Sequence, residues 1–288
     1  MAPALYSYWR CAHATQEAIC RGKPGFLRKG EGRVMEEKGR ISALYRYPVK
    51  GLSPERLERA ELERGGTMPW DRAFAIENGT ADFDAANPKH FPKIKFLMLM
   101  RHERLAALKT RFEDEGAVLC VEENGAEALR ASLLSDEGRT EAERFFASYM
   151  KDELRGAPRI VHAPGFTHSD APAPLISIIN MASVRALEEE IGRPVDPLRF
   201  RGNVYLEGLE PWEDHDWVER GIALGGVGLN VVARTERCAA TNVDPETAAR
   251  DMEIPATLLR RFGHSDLGIY AHVKTPGALA PGDSIMLG

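Results

Sequence analysis

The chain has 288 residues, a formal net charge of −5, 43% hydrophobic residues and 28% charged residues. This is the composition of one or two globular domains with a substantial core, and it excludes a fully disordered chain. The slight acidity argues against a general nucleic-acid-binding protein, which normally has a basic excess. No stretch approaches about 18 consecutive apolar residues, so the sequence predicts no membrane-spanning helix. Four widely spaced cysteines do not form the pattern of a disulfide framework.

Residues 1–40 differ from the rest of the chain, because they carry eight Lys and Arg against four Asp and Glu. The segment has no long apolar centre, so we do not expect a secretory signal. Two interpretations remain open. One is a disordered tail or upstream extension with Met35 as the natural start, and the other is a mitochondrial targeting segment, since Glu17 is the only acid before Glu31. We favour the first and place residues 1–39 outside the folded body.

Hydrophobic alternation and turn signals predict the elements of the first half of the body. They are a strand at Ile41–Val49, with alternate residues from Ile41 on one face; a strand at Ala73–Ile76, before an Asn78-Gly79 turn; a hairpin of Leu105–Phe112 and Ala117–Val121; and a helix that begins at Thr140, where Thr140 and Glu143 form a capping box.

The segment Ala157–Pro174 has four prolines and no periodicity, which predicts a linker and the internal boundary of the chain. The elements predicted after it are an apolar strand at Leu175–Ile179, a helix from Asn180 to Gly192, a strand at Val204–Leu206, a strand-rich stretch at Ile222–Ala233, a short helix from Pro255 to Gly263, and strands at Ile269–Val273 and Ser284–Leu287. Many short strands with few helices favour a mainly β fold with some helix (α+β), arranged as a barrel or sandwich.

Cys238 is the cysteine whose surroundings suggest chemistry. It follows a predicted strand, enters a polar loop that contains Asp244-Pro245, and has Arg237 beside it, a cation that favours the thiolate. A small buried thiol is an equally good interpretation of these residues alone. No second cysteine lies near it in sequence, so a metal bound by Cys238 would take its other ligands from a cofactor. Cys120, within an alternating strand, fits a structural role.

Three further segments could bind an anion. Lys50 follows a strand and precedes Gly51, Arg72 precedes a strand, and Arg201 lies with Asn203 before another strand. Arginine forks and lysine point charges suit phosphate groups. Taken singly, each cation is more simply explained as a solvated surface residue.

Taken in chain order, Tyr47–Lys50, Arg72, Phe200–Asn203 and Arg237–Pro245 resemble a MOSC protein, a family named for the C-terminal domain of molybdenum cofactor sulfurases. Within that family the sequence is most similar to bacterial relatives of the mitochondrial amidoxime-reducing component.

The resemblance implies a MOSC-type β-barrel together with an N-terminal β-barrel-like domain. We expect the N-terminal domain at residues 40–165 and the MOSC domain at residues 166–288. The family's barrel holds a pyranopterin molybdenum cofactor, and this chain lacks the cysteines for an appended iron–sulfur domain.

The resemblance also implies roles for single residues. The cysteine that aligns with Cys238 is the molybdenum ligand in amidoxime-reducing members, which makes Cys238 the expected metal ligand and catalytic residue. The positions expected to bind the cofactor are Lys50, Arg72 and Arg201, at the pterin and its phosphate, and Asn203, Thr241 and Asp244, in segments that line the same pocket. Gly51 stands where the family has a serine, so one phosphate hydrogen bond is expected from backbone instead.

These residues imply an oxidoreductase that removes oxygen from N-hydroxylated or related N-oxygenated and S-oxygenated small molecules. Electrons would come from a separate electron-transfer protein, because the sequence shows no flavin or cluster motif. We expect a cytoplasmic monomer. One alternative is a carrier of sulfur or of the molybdenum cofactor without reductase activity, and another is a MOSC scaffold that has lost the cofactor. Pyridoxal phosphate, which has been associated with such domains, finds no lysine here in a convincing context.

Overall fold

The computed structural model describes residues 36–79 and 82–288. The first strand begins at Glu36, so residues 36–39, which the composition placed in the tail, belong to the folded body. The two interpretations of the N-terminal segment, and the expected start at Met35, lie outside the described residues. Within the part of the chain that the structure describes, no helix is long and apolar enough to cross a membrane.

Strands dominate the described residues, with three α-helices between them, which confirms the predicted mainly β fold with some helix. The strands are β1 (Glu36–Arg46), β2 (Glu55–Leu57), β3 (Ala60–Leu62), β4 (Phe74–Asn78), β5 (Lys109–Glu113), β6 (Val118–Glu123), β7 (Ala126–Ser132), β8 (Pro158–His162), β9 (Ile176–Asn180), β10 (Val204–Glu207), β11 (Gly221–Leu224), β12 (Val227–Glu236), β13 (Asp266–Thr275), β14 (Gly277–Leu279) and β15 (Ser284–Leu287). The helices are α1 (Asp136–Met150), α2 (Met181–Ile191) and α3 (Ile254–Phe262).

Seven strands close into a barrel in the order β10-β9-β13-β12-β11-β15-β1, and β1 pairs back onto β10. Neighbouring strands are antiparallel except β9 and β10, which are parallel and are connected through α2. Because β1 comes from the first half of the chain, the barrel closes only when that half supplies a strand. The predicted β-barrel is confirmed.

Aliphatic side chains from every barrel strand fill the barrel interior. They include Ile41, Ile178, Val204, Leu224, Leu229, Ile269 and Ile285. Each buried side chain of this size contributes roughly 1.5–3 kcal/mol relative to exposure. The barrel is therefore a packed core, and the chemistry-bearing side chains lie at its ends and on the loops.

Strand β1 changes face part-way along its length. A register shift between Ile41 and Ala43 in the pairing with β10 marks a bulge. Ile41 and Leu44 lie in the barrel core, whereas Ala43 and Tyr45 pack with the cluster under α2 and α3. The predicted alternation from Ile41 is therefore wrong, because one extra residue moves the following side chains to the other face.

A three-stranded antiparallel sheet, β5-β6-β7, packs against α1 in a separate apolar cluster. The pairing of β5 with β6 confirms the predicted hairpin, although the first strand was predicted to begin at Leu105, which lies in a 3-10 turn, Glu103–Ala107. Strand β7 was not predicted, because four of its seven residues are exposed and three are alanine, a residue that does not favour strands.

Helix α1 begins at Asp136, not at Thr140 as predicted. Ser135 is the residue at the N-cap, where its Oγ accepts a hydrogen bond from Gly138 N at 3.0 Å. A Cβ at Gly138 would lie 2.1 Å from Ser132 O, so a glycine allows the first turn to approach β7. The capping-box pattern at Thr140 therefore lies inside the helix.

The proline-rich segment Ala157–Pro174 is not wholly a linker. Its residues 158–162 form β8, which pairs antiparallel with β4, with Phe74 opposite His162. The prediction failed here because an isolated two-stranded pair needs no alternation along its whole length. The rest of the segment carries residues of the candidate site described below.

The two helices predicted in the second half are confirmed, and α3 begins one residue earlier than predicted, at Ile254. Asn180 accepts a hydrogen bond from Ala182 N at 2.9 Å and begins α2, and Gly192 ends it with φ of +77°. Gly263 ends α3 with the same φ. These are positions where an Asn cap and a left-handed glycine favour helix boundaries.

A buried carboxylate, Asp214, lies beside the barrel. It accepts a hydrogen bond from Asn180 Nδ2 at 3.1 Å, and its second oxygen has no partner. Burial raises the pKa of Asp214 to about 6, and burial lowers the pKa of the adjacent His215 to about 3. The folded protein therefore holds the Asp214 proton more tightly than the unfolded chain does.

We predict that Asp214→Asn changes the pH dependence of stability. Since the pKa of Asp214 is raised on folding, its contribution is fully present below about pH 4 and is lost as pH rises through about 6. The unfolding free energy of the wild type, relative to the variant, should fall by as much as about 3 kcal/mol between pH 4 and pH 7. Urea titrations at four pH values measure this, with the exposed Asp216→Asn as control. A difference that does not vary with pH would contradict the assignment.

Candidate functional site

Lys50 is buried just beyond β1 and faces a carboxylate. Its Nζ donates to His168 O at 2.8 Å and forms an ion pair with Asp170. Burial lowers the pKa of Lys50, although Asp170 acts in the opposite direction. The next residue, Gly51, has φ of +88°, a conformation that a serine at this place would adopt only with strain.

Tyr47 lies under two arginines that come from distant parts of the chain. The guanidinium carbons of Arg72 and Arg201 are 4.6 Å and 4.1 Å from the centre of its ring. Both arginines have left-handed backbones, with φ of 51° and 50°. Backbone strain of this kind, in residues other than glycine, is concentrated at functional sites.

The two guanidinium groups differ in their partners. Arg72 pairs with Asp71 and donates to Arg201 O at 2.9 Å. Arg201 donates from Nη1 to Leu52 O at 2.9 Å, but its buried Nη2 has no hydrogen-bond partner. Burial lowers the pKa of Arg201 to about 10, and this still leaves it charged at neutral pH. A buried cationic donor without a partner is suited to an anionic ligand.

Cys238 lies at the end of β12, where the chain leaves the barrel. It is partly exposed, and a 3-10 turn, Ala239–Asn242, follows it. Thr241 N and Thr241 Oγ1 both donate to Cys238 O at 3.0 Å. The backbone at Cys238 is therefore fixed while its side chain stays accessible.

Arg237 anchors the same turn from the other side. Its guanidinium donates to Phe200 O at 2.8 Å and from Nε to Leu267 O at 2.7 Å. The group also lies over the Phe200 ring, 5.5 Å from its centre. The arginine that the sequence placed beside the thiol thus ties β12 to the segments before β10 and within β13.

Lys93 and Asp170 connect the cysteine to the buried cations. Lys93 Nζ lies 3.3 Å from Asp170 Oδ2, and Cys238 lies close enough to Lys93 to raise the pKa of that lysine. Burial lowers the pKa of Lys93, but the charges of Asp170 and Cys238 outweigh it, so the pKa is raised. Asp170 is shared with Lys50. Desolvation acts to raise the pKa of this half-exposed carboxyl, but the two lysines outweigh it and hold the pKa far below its usual range.

Tyr270 of β13 lies among these groups. Burial raises its pKa, which Arg237 and Arg72 partly offset and Asp170 reinforces. Tyr270 therefore lies within electrostatic range of both the arginine next to Cys238 and an arginine over Tyr47. The structure brings Cys238, Lys50, Arg72 and Arg201 into one neighbourhood.

The other predicted residues lie in the supporting framework of that neighbourhood. Asn203 is buried, and both polar atoms of its side-chain amide form hydrogen bonds with the backbone. Its Oδ1 accepts from Ser177 N at 3.0 Å, and its Nδ2 donates to Tyr45 O at 3.2 Å. Asp244 accepts from Arg199 Nη2 at 2.7 Å and from backbone N–H groups of its own loop. Together with Thr241, these side chains hold the walls and turns of the site.

Several residues of this neighbourhood were missed by the sequence argument. Asp170 and His168 lie in the segment interpreted as a linker, and Lys93 lies in a loop without periodicity. Asp71 was visible beside Arg72, and its Oδ1 accepts from Tyr47 N at 2.9 Å. The one sequence feature that could have indicated Asp170 is the prolines around it, because prolines restrict the backbone of a loop and can hold a side chain in place.

Two further observations concern metal ligands and clefts. Among the residues that the structure describes, no group of three or more His, Cys, Asp and Glu side chains is placed to bind a metal ion. Open clefts of about 420 Å³ and 650 Å³ are lined by other residues, around Arg250 and around Trp212. Cys238 thus offers a single thiol ligand beside cations.

Comparisons with known proteins match the two halves of the chain separately. The family model of the MOSC N-terminal beta barrel domain matches residues 38–156, and that of the MOSC domain matches residues 166–286. The chain belongs to the MOSC family. The family resemblance that the sequence suggested is confirmed.

Three relatives show how far the similarity of this MOSC chain extends. Mitochondrial amidoxime-reducing component 1 of Homo sapiens is 24% identical over 292 residues, covering 88% of this chain and 85% of that protein. The Mus musculus protein of the same name is 28% identical over 295 residues, covering 88% and 84%. Molybdenum cofactor sulfurase of Anopheles gambiae is 32% identical over 105 residues, covering 32% of this chain and 13% of that protein.

We predict that Arg237→Lys destabilises the protein by about 2–3 kcal/mol. The planar guanidinium of Arg237 donates to Phe200 O and Leu267 O at once, which a lysine ammonium cannot do. In the variant, at least one of these carbonyls therefore loses a charge-assisted hydrogen bond. Chemical denaturation measures the change, and the exposed neighbour Arg234→Lys is the matched control. Equal free energies of unfolding in the two variants would show that these hydrogen bonds of Arg237 do not stabilise the fold.

Proposed function

We propose that this MOSC protein is a molybdenum-cofactor-dependent reductase of N-hydroxylated or related N-oxygenated and S-oxygenated small molecules. The observation that carries the proposal is a cluster in which Asp170 pairs with both Lys50 and Lys93, and in which Cys238 lies within electrostatic range of Lys93. It brings an accessible thiol close to cations that suit a phosphate. Similarity to amidoxime-reducing components over 88% of the chain supports the same class of reaction.

The residues present fit a pyranopterin cofactor. A terminal phosphate would be held by Lys50, Arg72 and Arg201, and the unpartnered Arg201 Nη2 is a donor that such a group would satisfy. The soft thiolate of Cys238 suits a polarizable metal already chelated by sulfur. The metal's remaining ligands would come from the cofactor, because no second thiol or histidine completes a site among the described residues.

When bound, the cofactor supplies two-electron oxygen-atom removal, in which an N–OH group, two electrons and two protons give an N–H group and water. The electrons would come from a separate redox protein. The chain's own residues bind and orient: Cys238 fixes the metal end and the cations fix the phosphate end. The Asp170 carboxylate stays ionised between Lys50 and Lys93, so it serves as a hydrogen-bond acceptor there and not as a proton donor.

A second candidate is a carrier of sulfur or of the cofactor. It is supported by the partial similarity to a molybdenum cofactor sulfurase and by the accessibility of Cys238. A persulfide on Cys238, detected by mass spectrometry in protein without reductase activity under any donor, would favour this role over the first.

We predict that protein made in a cofactor-competent host contains molybdenum and pterin, and that Arg201→Met lowers both at least about tenfold. This fall of about tenfold is expected because the variant loses a buried positive charge and one charge-assisted hydrogen bond to the cofactor phosphate. Elemental analysis and pterin fluorescence measure the contents, and Arg234→Met is the control for loss of an exposed cation. Cys238→Ala should lose reductase activity. A wild type without cofactor, or a Cys238→Ala variant with metal and full activity, would refute the proposal.

A further inference from the structure

The cations of the site differ in how far a small molecule could reach them. Lys50 has 9% of its side chain exposed and Arg72 has 14%. The Arg237 guanidinium is taken up by backbone carbonyls. Lys93, by contrast, has 32% of its side chain exposed and lies within electrostatic range of Cys238. Among Lys50, Arg72 and Lys93, Lys93 is therefore the most exposed cation.

Lys93 is placed there by the first half of the chain. It opens a 3-10 turn, Lys93–Lys95, whose following residue Phe96 is buried and donates from N to Lys93 O at 3.0 Å. Phe96 forms a bridge with Glu77, and Leu97 N donates to Ile76 O at 2.8 Å, so the turn is held to β4. The lysine is thus carried by a turn that backbone hydrogen bonds hold to β4.

The local charge remains positive although a carboxylate is present. Asp170, 45% exposed, is shared between Lys93 and Lys50, so two cations face one acid. His90 is neutral at physiological pH, because burial and Lys50 lower its pKa. Tyr270 is neutral as well, because burial raises its pKa. Of the other acids near the site, Asp71 pairs with Arg72 and Asp266 lies near Arg237.

We propose that the approach to Cys238 selects anionic substrates, and that Lys93 is the side chain that determines this selectivity. The proposal rests on the proposed function, since it takes Cys238 as the reacting end of the site. It names the substrate class: N-oxygenated or S-oxygenated compounds that carry a carboxylate or another anionic group near the reducible bond. A single charge several ångströms away, at a partly exposed place, changes anion attraction by about three- to tenfold.

The first test uses the apo protein and needs no cofactor. The rates at which iodoacetate and iodoacetamide alkylate Cys238 are measured by peptide mass spectrometry at one pH. Their ratio compares an anion with a neutral reagent on the same thiol, so the fraction of thiolate cancels. We expect Lys93→Met to lower the iodoacetate-to-iodoacetamide ratio about three- to tenfold and Lys93→Arg to preserve it. The effect should shrink in high salt.

The matched control is Lys95→Met, because Lys95 is a similarly exposed lysine of the same turn that pairs with a different carboxylate, Asp82, at 2.6 Å. Its ratio should equal that of the wild type. An unchanged ratio in Lys93→Met, or an equal drop in Lys95→Met, would overturn the proposal.

The second test uses the cofactor-loaded protein and an N-hydroxylated arylamidine with and without a ring carboxylate. We expect Lys93→Met to lower kcat/KM for the carboxylate compound about three- to tenfold more than for the neutral one. Equal losses on both compounds would overturn the selectivity while leaving the reductase proposal intact. A protein that never binds cofactor would refute the reductase, yet the alkylation ratio would still report on Lys93.

Discussion

The stacking of two guanidinium groups over the Tyr47 ring is the interaction on which the rest of the site depends. Arg72 and Arg201 are held at 4.6 Å and 4.1 Å from the ring centre, each with a left-handed backbone. A left-handed backbone at a residue other than glycine destabilises the fold by on the order of 1–3 kcal/mol. A desolvated cation–π contact stabilises it by about 2 kcal/mol, so the contacts with Tyr47 offset the strain. Tyr47 follows β1, Arg72 precedes β4 and Arg201 precedes β10. One aromatic ring therefore joins the loops of both halves at the same end of the barrel.

The neighbouring contacts extend from this centre. The backbone carbonyl of Arg72 accepts from His168 N at 2.8 Å, and His168 O in turn accepts from Lys50. This places the proline-rich segment so that Asp170 can bridge two lysines. On the other side, Phe200 O accepts from Arg237 and fixes the end of β12 beside Cys238. Anion-binding cations and an accessible thiol are thus brought together by backbone hydrogen bonds as much as by side chains.

The barrel and most of its elements could be predicted from sequence because local patterns specify them. Asn180 and Gly192 bound α2 by their own chemistry, and the alternation in β13 follows from burial on one face. The start of α1 could not be predicted, because Ser135 caps a helix whose first turn contains a glycine required by the close approach to Ser132. The bulge in β1 is a tertiary feature with no signature in its own residues.

Some residues of the candidate site could also be predicted from the sequence, and others could not. Cys238, Lys50, Arg72 and Arg201 stand out by residue type and order, and the family resemblance groups them. Lys93 and Asp170 do not, because their importance comes from where two loops meet and not from any spacing along the chain. Asn203 and Asp244 were expected to line the pocket, but their hydrogen bonds show what each side chain supports: the pairing around β9 and the loop after Cys238.

In the proposed reductase, Cys238 binds the metal of a cofactor whose phosphate the cations hold. X-ray absorption at the molybdenum edge of the loaded protein tests it most directly, by counting the sulfur atoms around the metal in wild type and in Cys238→Ser. We expect one sulfur fewer in the variant, with the pterin retained by Lys50, Arg72 and Arg201. The same number of sulfur neighbours in both proteins would contradict it.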